Sequence, residues 1–250
     1  MSSKINVGLL LSLPLILQSV LALDPSCRPG GNFDLSPWKL QLPIGSSGSP
    51  TTISSSELQG CQGYQDPSRQ YFFTESGDGA LVMKVPGSPS SSGCVTTTNS
   101  KHCRTELRES ASWDPNASKN QLSATLSVPT PDDSGHGTVI GQIHMDDSVS
   151  TKPVAELYYN TNGDLAMGVE QTRSGGNEKF TTVGNVPRGT KFSYKIVYQN
   201  NVLSVSINGG SAKTLSTYSL NAPKSYFKAG NYNQGDSASD VHFFAISLSH

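Results

Sequence analysis

Short segments in which apolar and polar residues alternate recur along this chain, and few folds accommodate them. LVMKV (81–85), QLSATLSV (121–128), TVIGQIHM (138–145), FSYKIVY (192–198), VLSVSI (202–207) and VHFFAISL (241–248) are the clearest. Period-two alternation sends successive side chains to opposite faces of a pleated strand, which suits a sheet with one buried face. No segment holds the three-to-four spacing of an amphipathic helix. Asn162-Gly163 and Asn208-Gly209 fall between such runs, where tight hairpin turns favour that pair. No interdomain linker and no fixed-period repeat interrupts the pattern, and Gly87–Gly93 reads as a surface loop. The expectation is an all-β, single-domain β-sandwich of jelly-roll type.

Composition agrees. Hydrophobic residues make up 34% of the 250, enough for one sizeable core, and charged residues only 15%, as in turn-rich extracellular β proteins. The N-terminus carries Lys4, an apolar run from about Val7 to Leu17, and small residues at Val20 and Ala22. That run is short for a membrane span, so residues 1–22 read as a secretory signal peptide and 23–250 as the mature domain, secreted and without a membrane partner. Cys27, Cys61, Cys94 and Cys103 all follow the signal, and an even count in an oxidising compartment points to two disulfides. Three pairings are open. Cys27 with Cys61 and Cys94 with Cys103 is preferred, because the second pair closes a short polar loop. No close Cys-x-x-Cys pair suggests a metal site. Asn116-Ala117-Ser118 is an N-glycosylation sequon beside Pro115. Removal of Lys4 with the signal leaves 17 − 19 = −2 charges, which argues against a nucleic-acid partner. Attraction for a polyanion must then be local, from a few basic residues in one cleft.

Three polar clusters lie on strand-like segments. In Arg104-Thr105-Glu106-Leu107-Arg108 the two arginines and the glutamate share one face. In Gly141-Gln142-Ile143-His144, Gln142 and His144 share a face, with Val139 and Ile143 on the other. In YFKAGNYNQ (226–234), Tyr226, Lys228, Gly230, Tyr232 and Gln234 share a face and Phe227 and Ala229 point to the core, Gly230 marking a bulge or a close approach. Each has a plain structural reading: a charged ladder on a solvated sheet, a lone structural histidine, a tyrosine-rich strand. His102, His136, His242 and His250 lack comparable company. Together the three clusters place Arg, Glu, Gln, His, Lys and Tyr in one positive, donor-rich groove suited to a chain-like anionic ligand.

RTELR (104–108), QIH (142–144) and YFKAGNYNQ (226–234), in that order, resemble the three motifs of the alginate lyases of polysaccharide lyase family 7, and Phe33-Asp34-Leu35 with WKLQLP (38–43) is similar to the family's N-terminal strand. The resemblance spans nearly the whole mature chain. It implies a jelly roll with a concave groove, β-elimination on a 4-linked uronan, no cofactor or metal, and a monomer acting on an anionic polysaccharide. It also implies that Arg104, Gln142, His144 and Tyr232 are catalytic. Glu106, Arg108, Lys228 and Gln234 match positions that shape the site or bind substrate. Ile143 at the centre of QIH leans toward guluronate-containing substrate.

These residue types suit the reaction. Proton abstraction at C5 pushes negative charge onto a carboxylate already anionic, and Arg104 with Gln142 supplies donors for it. His144 and Tyr232 are candidates for the base and for the acid that protonates the departing O4. Nearby cations such as Lys228 favour tyrosinate, so Tyr232 can serve in either role. Asp146 would intrude on the groove if the strand continued past Met145; the strand is expected to end there. A glycoside hydrolase needs two carboxylates across the scissile bond, whereas Glu106 and Glu109 point to opposite faces. Lyase action on another polyuronate such as glucuronan, and a non-catalytic carbohydrate-binding jelly roll, remain as alternatives.

Overall fold

The computed structural model describes residues 22–250, so the expected signal peptide, Ala22 apart, lies outside the described residues. Fifteen strands run through them: β1 (Trp38–Ser46), β2 (Ser49–Ile53), β3 (Phe72–Thr74), β4 (Leu81–Val85), β5 (Arg104–Glu109), β6 (Gln121–Thr130), β7 (Thr138–Met145), β8 (Pro153–Tyr159), β9 (Asp164–Val169), β10 (Lys179–Asn185), β11 (Phe192–Gln199), β12 (Val202–Ile207), β13 (Lys213–Leu215), β14 (Ser225–Tyr232) and β15 (Ser239–Ser249). Among the described residues, helix is confined to single turns at Pro29–Asn32, Ser55–Leu58 and Pro89–Ser92.

The strands form two antiparallel sheets. One has eight strands in the order β10-β9-β8-β7-β14-β5-β1-β2, the other seven in the order β13-β12-β11-β6-β15-β4-β3. Sequence neighbours β5 and β6, and β14 and β15, belong to opposite sheets, so the chain crosses repeatedly between layers. The result is a β-sandwich of jelly-roll type. The six alternating runs all fall on strands, β4, β7 and β12 with the bounds the pattern predicts. The β11–β12 hairpin turns at Asn200-Asn201, both at positive φ (48° and 56°), the geometry of a two-residue primed turn.

Alternation explains the layering. Leu40, Leu107, Ile143, Phe227 and Ala229 of the eight-stranded sheet are fully buried in one core with Leu122, Ile196, Val241 and Phe243 of the other. Burying a side chain such as Phe227 contributes about 1.5–3 kcal/mol. Tyr194 of β11 crosses the core to donate from its hydroxyl to the Ile140 carbonyl at 2.9 Å. A Cβ on Gly141 would lie 2.5 Å from that hydroxyl, which accounts for the glycine. One expectation is corrected here. A bulge between Val139 and Gly141 puts Ile140 in the core cluster with Ile143, and Val139 lies outside it, paired with Tyr158 and Tyr232.

Both preferred disulfides are present, Cys27–Cys61 and Cys94–Cys103. The second closes the loop that leads into β5. Asn116 is exposed on the turn between β5 and β6.

Candidate active site

The outer face of the eight-stranded sheet carries a cleft of about 700 Å³. Its floor follows from strand register. Lys39 of β1 pairs with Arg108 of β5, Arg108 with Lys228 of β14, Lys228 with Gln142 of β7, and Gln142 with Glu156 of β8. Beside this row Tyr232 faces Arg104, Gly230 faces Glu106, and Tyr226 faces His144. Three motifs far apart in sequence thus meet because β5, β14 and β7 are adjacent and each turns its polar face outward. Gly230 is required: a Cβ there would lie 2.6 Å from both Glu106 Cα and the Thr105 carbonyl oxygen. It also falls within the bulge between Ala229 and Tyr232, as its sequence context predicts.

Glu106, 2% exposed, is the junction of the floor. Its Oε2 accepts from Arg104 Nη1 at 2.9 Å and from Lys228 Nζ at 3.2 Å, and its Oε1 accepts from Gln142 Nε2. Burial works against its charge, but Lys228 and Arg104 outweigh it, so the carboxyl is held below the usual range. Burial and the Arg104 charge lower Lys228 to about 8. Burial likewise opposes the charge on Arg104, yet Tyr232 and Glu106 hold its pKa above the ordinary arginine value. Arg104 Nε is buried with no hydrogen-bond partner among the described residues, a donor left for an anion.

The two candidate proton carriers flank this floor. The Arg104 guanidinium carbon lies 3.6 Å from the Tyr232 ring centre. The Tyr232 hydroxyl is 3.2 Å from Ser100 Oγ; burial raises the phenol pKa and Arg104 opposes the rise. His144 Nδ1 lies 2.7 Å from the Met145 carbonyl oxygen, which can only accept, so Nδ1 carries the hydrogen and Nε2 is the basic nitrogen. Burial, reinforced by Lys228, pushes His144 down to about 3, leaving a neutral imidazole. Tyr226 stacks on His144 at 5.1 Å and donates to Asp147 at 3.1 Å, so its hydroxyl is already engaged.

Arg104, Glu106, Arg108, Gln142, His144, Lys228 and Tyr232 all line the cleft. Gln234 does not: it follows the end of β14, and its amide turns back toward the Tyr232 carbonyl. β7 ends at Met145, and Asp146 accepts from the Ser148 amide and hydroxyl in the following turn, clear of the cleft. The carboxylate at the rim is instead Asp147, paired with Arg108 at 2.7 Å. His102, unremarkable in sequence, is brought edge-on to Tyr232 with ring centres 6.1 Å apart.

Sequence reading missed a wall of acids. Glu156, Glu170 and Glu178 line the β8–β10 end of the cleft, and the Tyr158 hydroxyl lies 2.8 Å from carboxylate oxygens of both Glu156 and Glu178. Burial and the neighbouring Glu156 push Glu178 up to about 8, and burial raises Glu156. Only Glu156 sits inside a strand, and its alternating neighbours are too apolar to mark it.

The alginate lyase family model matches residues 33–250. The chain belongs to the alginate lyase family. Members of the family with known structures share its architecture. Alginate lyase A1-II', of polysaccharide lyase family 7, solved with a bound product, is 28% identical with a TM-score of 0.74, covering 90% of this chain and 99% of its own. An alginate lyase from Pseudomonas aeruginosa is 29% identical with a TM-score of 0.73, covering 87% of this chain and 99% of its own. A Klebsiella pneumoniae alginate lyase is 27% identical, over 89% of this chain and 91% of its own length. As a family 7 member this alginate lyase is a polysaccharide lyase.

Proposed function

We propose that the chain is a secreted enzyme that cleaves alginate by β-elimination, with Arg104, Gln142, His144 and Tyr232 in contact with the reacting sugar. The observation that carries this reading is the buried Arg104, with one N–H unpartnered, stacked on a tyrosine whose hydroxyl borders the same cleft. The uronate carboxylate binds Arg104 and Gln142, whose donors are aimed where charge develops as the C5 proton leaves. The C5–H electron pair forms the C4–C5 double bond, the C4–O4 bond breaks, and O4 takes a proton.

In mannuronate the C5 proton and O4 lie on the same side of the ring, and Tyr232 serves both. In guluronate they lie on opposite sides; His144 Nε2 takes the proton while Tyr232 delivers its own to O4. A neutral imidazole is the form that accepts. Burial is the largest cause of the low His144 pKa, and the incoming carboxylate offsets the Lys228 and Arg104 charges that add to it. Ile143 supports a preference for guluronate-containing substrate. Lys228 holds the carboxylate end of the floor positive, and Arg108 reaches substrate from the rim by exchanging its exposed Asp147 partner.

The acidic wall supports a second reading, lyase action on another polyuronate such as glucuronan, since Glu156 and Glu178 narrow where a uronate carboxylate can sit. Formation of unsaturated, ultraviolet-absorbing ends on polyguluronate, polymannuronate and glucuronan decides between them. Faster turnover of glucuronan than of either alginate block would overturn the first reading. Tyr232→Phe tests the mechanism: product formation is abolished while thermal unfolding is unchanged, and near-normal turnover would sink the assignment.

A further inference from the structure

Ser100 belongs to none of the three motifs, yet its hydroxyl stands at the junction of Arg104 and Tyr232. Four polar groups surround Ser100 Oγ: Arg104 Nη2 at 3.1 Å, the His102 amide nitrogen at 3.2 Å, the His102 carbonyl oxygen at 3.1 Å and the Tyr232 hydroxyl at 3.2 Å. The first two can only donate and the third can only accept, while a phenol can do either. A serine hydroxyl has two lone pairs and one proton. The Arg104 and His102 N–H groups occupy both lone pairs. Ser100 therefore has no lone pair to accept the Tyr232 proton, and its own proton has two possible destinations, the His102 carbonyl and the Tyr232 oxygen. The loop that holds this geometry is anchored: Cys94–Cys103 closes it, the Ser100 amide donates to the Thr97 carbonyl, and the Cys103 carbonyl accepts from the Asn233 amide.

We propose that Ser100 is the positioning residue that sets the proton of Tyr232: it denies the phenol an acceptor within the protein, so that proton is aimed into the cleft, and it turns its own proton onto the phenolate once the phenol proton has gone. The inference rests on the acid–base role given to Tyr232 above. The exchange balances. The phenol O–H bond breaks as the proton passes to the departing O4. The Ser100 O–H stays intact and changes its acceptor from the His102 carbonyl to the phenolate. When Tyr232 regains a proton, from C5 in a same-side elimination or from water, Ser100 returns to the carbonyl. Arg104 acts from the ring face and Ser100 from the oxygen, so the phenolate is met by a cation and a hydrogen bond at once.

The test compares pH profiles of kcat and KM on a polyuronate for the wild type, Ser100→Ala, Ser100→Thr, Tyr232→Phe and the double variant Ser100→Ala/Tyr232→Phe. A hydrogen bond to a charged oxygen corresponds to roughly one to two pH units. Ser100→Ala is expected to move the limb governed by Tyr232 upward by that amount and to lower kcat about tenfold or more, with KM changed less than twofold. Ser100→Thr, which keeps the hydroxyl, restores the profile, and Ser100→Ala adds nothing to Tyr232→Phe. An unshifted profile in Ser100→Ala, with Tyr232→Phe inactive, overturns the role of Ser100 alone. So does a pH-independent fall in rate that Ser100→Thr fails to restore, which is the signature of simple packing. Activity surviving in Tyr232→Phe overturns the acid–base reading and this inference with it. Thermal melts of each variant confirm that a folded enzyme is being compared.

Discussion

Arg104 and Tyr232 face each other across the β5–β14 pair, with the guanidinium carbon 3.6 Å from the ring centre. A cation over an aromatic face gains about 2 kcal/mol when desolvated. Here the contact also puts positive charge beside a hydroxyl that burial otherwise keeps protonated.

Arg104→Lys tests whether the planar fork matters. Lysine keeps the charge but loses the stacking and the second donor edge. Turnover is expected to fall by about 10²–10³, the loss typical of one donor to a developing oxyanion. Steady-state kinetics on polyguluronate and polymannuronate measure it, and a change below fivefold on both would show that charge alone suffices.

Glu106→Gln should be among the most damaging substitutions to stability. It removes the one carboxylate that accepts from both buried Arg104 and buried Lys228. Breaking such a buried pair costs about 3–5 kcal/mol because the remaining charges are uncompensated. The Glu106 pKa is depressed on folding, so its contribution is present above the ordinary carboxylate range and lost as pH falls through the folded value. Denaturant unfolding at neutral and acid pH should therefore show a gap between wild type and variant that closes on acidification.

Glu178→Gln should act in the opposite direction. The Glu178 pKa is raised to about 8, so between the ordinary carboxylate range and pH 8 the folded state binds a proton that the unfolded state has lost. Stability then falls as pH rises through that window. The variant is expected to flatten this decline in thermal melts and to lower KM for polyuronate above pH 8, where a charged wall would repel the substrate. An unchanged pH dependence of both would mean that Glu178 titrates normally.

Cys94→Ser/Cys103→Ser frees the loop that carries Ser100. Chain entropy assigns a loop of this size about 2–3 kcal/mol of stability. Turnover should fall further than the melting temperature alone accounts for, because Ser100 loses its fixed distance to Tyr232 and Arg104. Kinetics well below the melting transition separate the two effects.

The floor of the site was legible in sequence because it is carried by alternating strands. Once RTELR, QIH and the opening of YFKAGNYNQ are read as β, period two assigns Glu106, His144 and Lys228 to one face. The residues that escaped are placed by other means. Gln234 lies past the end of β14, where alternation no longer applies. Val139 was misassigned because a bulge is a local count error that periodicity cannot reveal. Asp147 and Ser100 reach the cleft, and His102 reaches the Tyr232 ring, from loops whose course depends on tertiary contacts. Glu156 and Glu178 meet only through Tyr158 and the pairing of β8, β9 and β10, a register that no short motif encodes.

The three donors that converge on Glu106 divide the cleft into parts with different evolutionary freedom. Arg104, Gln142 and Lys228 are each held by the same carboxylate, so drift at any one of the four positions disturbs the other three, and such changes survive only in concert. Lys39, Asn99, Thr151 and Lys152 line the cleft without sharing that partner. New substrate preferences in this enzyme should accordingly arise by single steps at the perimeter, and saturation libraries at the two sets of positions would show it as many active variants in one and almost none in the other.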